Sequence, residues 1–134
     1  MSDWDHEIEL EVRDYELDLQ GIVNNSVYQN YLEHGRHKYI QTIGLDFHKL
    51  HQDGWDPVVT RAELDYKVSL SSGDTFTVRT RVELQGRLRF IFVQEIVRSR
   101  DQAVSVSARI TAATLYQGRP SPCPAILEAF GPAK

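Results

Sequence analysis

A single cysteine, Cys123, stands in this chain, so no disulfide can close within it and a reducing compartment fits best. No apolar run approaches the roughly 18 consecutive residues of a membrane-crossing helix, so no membrane is expected as a partner. The opening MSDWDHEIELEV is acidic and alternating, and it lacks the basic start and apolar stretch of a signal peptide. The expected location is therefore cytoplasmic, although a transit peptide removed by processing would leave no trace. An excess of positive charge is also missing, since 15 Lys and Arg against 19 Asp and Glu leave −4. That balance gives no general attraction to nucleic acid, which is not expected as a partner. A local basic patch for a phosphorylated ligand is still compatible with it.

What is present reads as one domain over 1–134, long enough for a real core but not for two. HEIELEVRDY alternates Ile8, Leu10 and Val12 against charged residues, the period of a half-buried strand. SVYQNYLEHGRHKYIQTIG then changes period. Tyr28, Tyr31, Leu32, Tyr39, Ile40 and Ile43 recur at intervals of three and four, which predicts one long helix ending at Gly44. Gly35 falls on the apolar face of that helix. A helical Gly costs about 1 kcal/mol relative to Ala, so its presence points to a helix backbone lying close against something, with chance as the alternative.

The remainder reads as four strands. DPVVTRAELDYKVSL precedes the turn Ser71-Ser72-Gly73-Asp74, and TFTVRTRVEL places Phe76, Val78, Thr80, Val82 and Leu84 on one side. RLRFIFVQEIVRS and AVSVSARITAATLY follow, joined by short turns that predict antiparallel neighbours. The tail 116–134 holds four of the five prolines and reads as a surface-hugging end rather than a sheet strand. The expected class is α+β, with an antiparallel five-stranded sheet burying one long helix.

Chemistry concentrates in DYELDLQGIVNNSVYQNYLEHGR, residues 14–36, where strand gives way to helix. A helix start leaves backbone N–H groups unpaired and carries partial positive charge, a favourable place for a developing oxyanion. Asn24, Asn25 and Ser26 are all good N-cap residues, so a capped helix without further role is the plainer reading. Asp18 is likewise a common turn former.

The whole string resembles the signature of hotdog-fold thioesterases of the 4-hydroxybenzoyl-CoA thioesterase type. Asp18, Gly21, Ile22, Val23, Tyr28, Tyr31, Leu32, Glu33 and Arg36 stand in the places of that signature. Within it, the segment is most similar to plant acyl-lipid thioesterases and to 1,4-dihydroxy-2-naphthoyl-CoA thioesterase-like proteins. The resemblance implies a long helix wrapped by an antiparallel sheet and hydrolysis of an acyl-CoA or acyl-carrier-protein thioester. It also implies a homodimer assembling into a homotetramer, with no cofactor and no metal. By position, Asp18 matches the catalytic carboxylate, as nucleophile or general base, and the Asn25 N–H matches the oxyanion donor. Gly21 is expected to allow close backbone approach, and Val23, Asn24 and Tyr28 to border the substrate, with a core role the alternative for Tyr28. Asn24 and Asn25 replace an aromatic residue or His found in other members. A hydroxyacyl-thioester dehydratase on the same fold and a non-catalytic acyl-thioester binding module are the other two readings.

Thiolate leaves readily, so the reaction needs a positioned attacker and an oxyanion hole more than a strong acid. No G-x-S-x-G occurs. Glu33 is a rival carboxylate, but it lies about two turns into the helix, and pairing with Arg36 at i, i+3 accounts for it. His34/His37 and His48/His51 have a spacing that can seat a metal, yet no H-E-x-x-H accompanies them, and surface histidines are the simpler reading. Arg87, Arg89, Arg98 and Arg100 could meet CoA phosphates or an acidic carrier. Thr60 and Arg61 are placed near the pocket.

Overall fold

In the computed structural model, residues 3–131 are described, and the alternation of the sequence becomes strand wherever it was strict. β1 (His6–Glu11) leads through a single 3-10 turn, Asp14–Glu16, to α1 (Asn25–Thr42) and a short α2 (Phe47–Gln52). β2 (Trp55–Tyr66), β3 (Thr75–Gln85), β4 (Arg89–Arg98) and β5 (Val104–Tyr116) follow, then β6 (Arg119–Pro120) and α3 (Pro124–Phe130). The long helix ends as expected: Ile43 caps it and Gly44 follows at φ +76, a left-handed conformation suited to Gly.

All paired strands run antiparallel in the order β1-β3-β4-β5-β2, with β6 as a two-residue addition to β5. This corrects one expectation. β2 and β3 are consecutive but not neighbours, because β2 pairs β5 and β3 pairs β1. The segment 67–74 crosses the end of the sheet between them. Three strand spacings are about 14 Å, well within the reach of a chain gaining about 3.3 Å per residue. Adjacency inferred from a short connection therefore fails here.

α1 lies across β1, β3 and β4. It buries Tyr28, Tyr31, Leu32, Gly35, Tyr39 and Ile40. Phe76, Val78, Thr80 and Val82 of β3 meet that face, and the Tyr31 and Phe76 rings stand 4.6 Å apart. This is the helix-on-sheet arrangement of the hotdog fold. A Cβ on Gly35 would sit 2.6 Å from Val78 Cγ1, so the glycine marks a real close approach of helix to sheet. Gly35→Ala gains about 1 kcal/mol of helix propensity but overpacks at a cost of about 1–3 kcal/mol. The expected net effect is destabilisation of about 1 kcal/mol, read by urea unfolding; a gain in stability would contradict the contact.

The tail also departs from expectation. It supplies β6 and then α3, whose Ile126 and Phe130 are buried. The Phe130 ring packs 5.1 Å from Phe90 and 6.1 Å from Phe92, and Cys123 is buried beside them in the core. Pro124 occupies the first position of α3, where a missing N–H costs nothing.

The outer sheet face is laced with charge. Arg79 pairs with Glu7 at 2.8 Å, and Arg81 with Glu83 at 2.7 Å. Exposed pairs of this kind add little stability; they keep the face polar.

Candidate active site

Asn24 is the N-cap of α1, selected from the three candidates by backbone geometry. Its φ of −64 and ψ of 138 are extended, and its side chain accepts from the Ser26 N–H at 3.1 Å. The Val27 N–H donates to the Asn24 carbonyl at 2.9 Å. Asn25 is the first helical residue, and nothing among the described residues accepts from its N–H. The first turn therefore offers one open donor at the positive end of an 18-residue helix.

Asp18 sits on a tight exposed turn. Its Oδ1 accepts from the Gln20 N–H at 2.8 Å and, more weakly, from the Ile22 N–H at 3.4 Å. The Asp18 N–H donates to the Ile22 carbonyl at 2.9 Å, and Leu17 bridges Val23. Oδ1 is thus engaged by backbone and Oδ2 is left available. Gly21 closes this turn at φ +78, and a Cβ there would meet nothing within 4 Å. The left-handed conformation alone favours Gly here.

Two features that the sequence reading passed over hold this turn against the helix. The first is Glu16, buried although charged: it accepts from Tyr31 Oη at 2.6 Å and from the Arg13 N–H at 2.8 Å. Its carbonyl accepts from the Asn24 N–H at 3.1 Å, so one residue ties strand exit, helix cap and helix face together. Burial raises the Tyr31 hydroxyl well above its ordinary value, and its bond to Glu16 raises it further, so it stays a donor. Removing the acceptor by Glu16→Ala strands a buried hydroxyl, and the expected loss is about 1–3 kcal/mol. Glu16→Gln, which keeps an acceptor, is expected to lose less; thermal unfolding of the pair checks this.

The second feature is the crossover 67–74. The Val23 N–H donates to the Leu70 carbonyl at 2.9 Å, and the Leu70 N–H donates to Tyr28 Oη at 3.0 Å. Val23 and Tyr28 are accordingly buried in the core, 2% and 3% exposed. At the end of β2, Tyr66 Oη reaches the Asn25 carbonyl at 3.4 Å, and its ring lies 5.6 Å from that of Tyr28.

The other expected residues scatter. Thr60 occupies the register shift of β2, with Oγ1 at 3.4 Å from the Thr111 carbonyl. Arg61 is exposed and pairs with Glu63 at 3.3 Å. Neither lines the cavity between α1 and β2, a space of about 210 Å³ bounded by Gln29, Leu32, Arg36, Val59, Ala62 and Ile110. Arg98 and Arg100 lie at the crossover end of the sheet but are engaged, Arg98 by Asp101 and the Ser69 carbonyl, Arg100 by Asp74 at 3.0 Å. Arg87 and Arg89 are exposed at the opposite end of β4, which is about 30 Å away at 3.3 Å per strand residue. Within one protomer they do not share a surface with Asp18.

The Glu33–Arg36 pair does not form. Glu33 is exposed, while Arg36 turns inward and donates from Nη1 to Gln94 Oε1 at 3.0 Å. His51 pairs with Asp56 and His48 with Gln52, and among the described residues no three His, Cys, Asp or Glu gather as a metal site. No helix among them is long and apolar enough to cross a membrane.

A long helix laid over an antiparallel sheet is the fold that the resemblance anticipates. The sequence profile of the thioesterase-like superfamily matches residues 12–130. The chain belongs to that superfamily. Two chloroplastic acyl-acyl carrier protein thioesterases of Arabidopsis thaliana share 36% identity with this member, over 126 and 104 residues. Those matches take in 93% and 78% of the chain, but 67% and 55% of the two plant proteins, so it spans between about half and two thirds of their length. A Thermus thermophilus thioesterase solved with coenzyme A and zinc superposes with a TM-score of 0.80 at 28% identity, over 97% of this chain and 95% of that one. The 1,4-dihydroxy-2-naphthoyl-CoA thioesterase of Synechocystis gives a TM-score of 0.86 at 16% identity, over 92% and 93%, which bears on fold alone. As an enzyme class, this superfamily member is a thioester hydrolase.

Proposed function

We propose that the protein hydrolyses an acyl-CoA or acyl-carrier-protein thioester to a free carboxylic acid and a thiol. The observation that carries this reading is the unclaimed Asn25 N–H at the start of α1, with the Asp18 carboxylate presented on a turn fastened to the same cap. The thioester carbonyl oxygen accepts from the Asn25 N–H, so charge developing there meets a donor already in place. Asp18 Oδ2 either attacks the carbonyl carbon, giving an acyl-aspartyl anhydride that water then hydrolyses to the free acid and the restored carboxylate, or takes a proton from a water that attacks the carbonyl directly. The C–S bond breaks, the sulfur leaves as thiolate, and it gains a proton to become the free thiol. Asn24 holds the helix start in shape, and Tyr66 stands where the acyl group enters.

The reading extends to assembly. β2 is an edge strand, hydrogen-bonded on one side only, with Val58, Val59 and Tyr66 exposed at 37%, 57% and 47%. A second copy pairing along this edge would continue the sheet and cover Val58, leaving Val59 and Tyr66 to border the acyl path between the two copies. Two such dimers form the tetramer, in which Arg87 and Arg89 of one protomer come to serve CoA phosphates bound at another. The test of the function is thiol release, followed with a thiol-reactive dye, across aliphatic, 3-oxoacyl and aromatic acyl-CoAs and then carrier-protein thioesters. Turnover of none of them, with binding intact, would leave a binding module.

A further inference from the structure

Among the described residues Arg36 has no anionic partner, and it stands in a cleft that is otherwise mostly apolar. Gln29, Leu32 and Arg36 follow one another at i, i+3 and i+7 on α1, opposite Val59 and Ala62 of β2 and Ile110 of β5. One guanidinium N–H is used, by Gln94 Oε1 at 3.0 Å. A guanidinium has five such donors, and among the described residues no carboxylate lies within ion-pair distance of this one. The ring of Phe92 lies 5.9 Å beneath it. Burial lowers its affinity for the proton, and the field of the exposed Glu33 only partly offsets that.

The group is also held still. Gln94 is fully buried and donates from Nε2 to the Leu32 carbonyl and to Thr80 Oγ1, each at 3.0 Å. Its remaining Oε1 is aimed at Arg36, so a chain of hydrogen bonds from the centre of the sheet fixes the cation at the cleft wall. Stability alone does not call for this arrangement, because a half-buried charge without a counter-charge is a cost that an apolar residue of the same volume would avoid. The cleft is walled by α1 and β2, the same two elements that meet where Tyr66 Oη reaches the Asn25 carbonyl at the helix start. Eleven residues separate Asn25 from Arg36, about 16 Å of helix, and the arginine side chain leans back toward the helix start.

We propose that Arg36 is a specificity-determining residue that receives an oxygen at the far end of the acyl group, a carboxylate in preference to a hydroxyl. This rests on the thioesterase reading, with the thioester carbonyl held at Asn25. An acyl chain extended along the seam passes Leu32, Val59, Ala62 and Ile110 and then meets the guanidinium. Its terminal carboxylate accepts two charge-assisted hydrogen bonds from the free edge of the fork. The substrate class is therefore acyl thioesters of intermediate length carrying a terminal oxygen function, and a 3-oxo group lies too near the thioester to reach this cation.

The experiment compares kcat/KM for length-matched CoA thioesters, unsubstituted, terminally hydroxylated and terminally carboxylated, at hexanoyl, octanoyl and decanoyl length. Wild type is expected to favour the carboxylated substrate about tenfold or more over the unsubstituted one at one of these lengths. Arg36→Met, similar in bulk, is expected to abolish that ratio while keeping turnover of the unsubstituted substrate, and Arg36→Lys to restore part of it. Equal rates in wild type, or a loss in Arg36→Met that is the same for all three substrates, overturn the proposal. Failure of every thioester to turn over instead strikes the thioesterase reading. Calorimetric binding of dicarboxylic against monocarboxylic acids of equal length then decides on Arg36 without catalysis, equal affinity being the negative result.

Discussion

Asp18→Asn is expected to lower kcat for thioester hydrolysis by about 10²–10⁴-fold, with KM and thermal stability nearly unchanged. The reason lies in how the two carboxylate oxygens are used. Oδ1 accepts from the Gln20 and Ile22 N–H groups and shapes the turn. The Asn amide oxygen can take over that task, so the loop persists. What is lost is the second carboxylate oxygen, Oδ2, to which the proposed function gives the attack on carbon or the removal of a proton from water. Thiol release by wild type and variant at saturating substrate separates this from a folding defect. A rate that survives moves the chemistry to Glu33 or elsewhere, although Glu33 points to solvent from the second turn onward.

Asn25→Pro is expected to lower kcat by about 10²–10³-fold, the cost of deleting one oxyanion donor. Proline removes the backbone N–H that side-chain substitutions leave intact. It is tolerated at the first position of a helix, where that N–H has no intrahelical partner. The residue before a proline must be extended, and Asn24 already is, at φ −64 and ψ 138. Circular dichroism should therefore show the helix retained. Asn25→Ala keeps the N–H and serves as the control, with activity expected near wild type. Equal activity in the proline and alanine variants would remove the helix start from the mechanism.

The two variants also separate the catalytic centre from Arg36. Neither Asp18→Asn nor Asn25→Pro should alter the preference among acyl ends, because the cation lies along the cleft and not at the carbonyl. Arg36→Met should do the reverse. A common effect of all three on kcat alone would mean that Arg36 positions the helix start instead of reading the acyl group.

Local order along the chain was enough to determine the long helix, the five main strands and the family. Strict alternation in TFTVRTRVEL put Phe76, Val78 and Thr80 inside, and the three-and-four spacing of Tyr28, Tyr31, Leu32, Tyr39 and Ile40 gave the helix face. Asp18, Gly21, Ile22 and Val23 with Tyr28 to Arg36 carried the signature within one short segment, whereas Gly35 only pointed to a close contact whose partner, Val78, lies far along the chain. Tertiary structure alone decided the rest. The proline-rich tail looked like surface, but Phe130 is buried because Phe90 and Phe92 of a distant strand leave it a place in the core. Glu33 and Arg36 had the spacing of an ion pair, yet Arg36 turns inward because Gln94, 58 residues away, is there to accept from it. Glu16 read as one acid among many until Tyr31 and the helix cap closed around it. Sequence encodes the period of a segment directly. Which partner a polar side chain finds is set by the packing of segments far apart in the chain, and no local pattern records it.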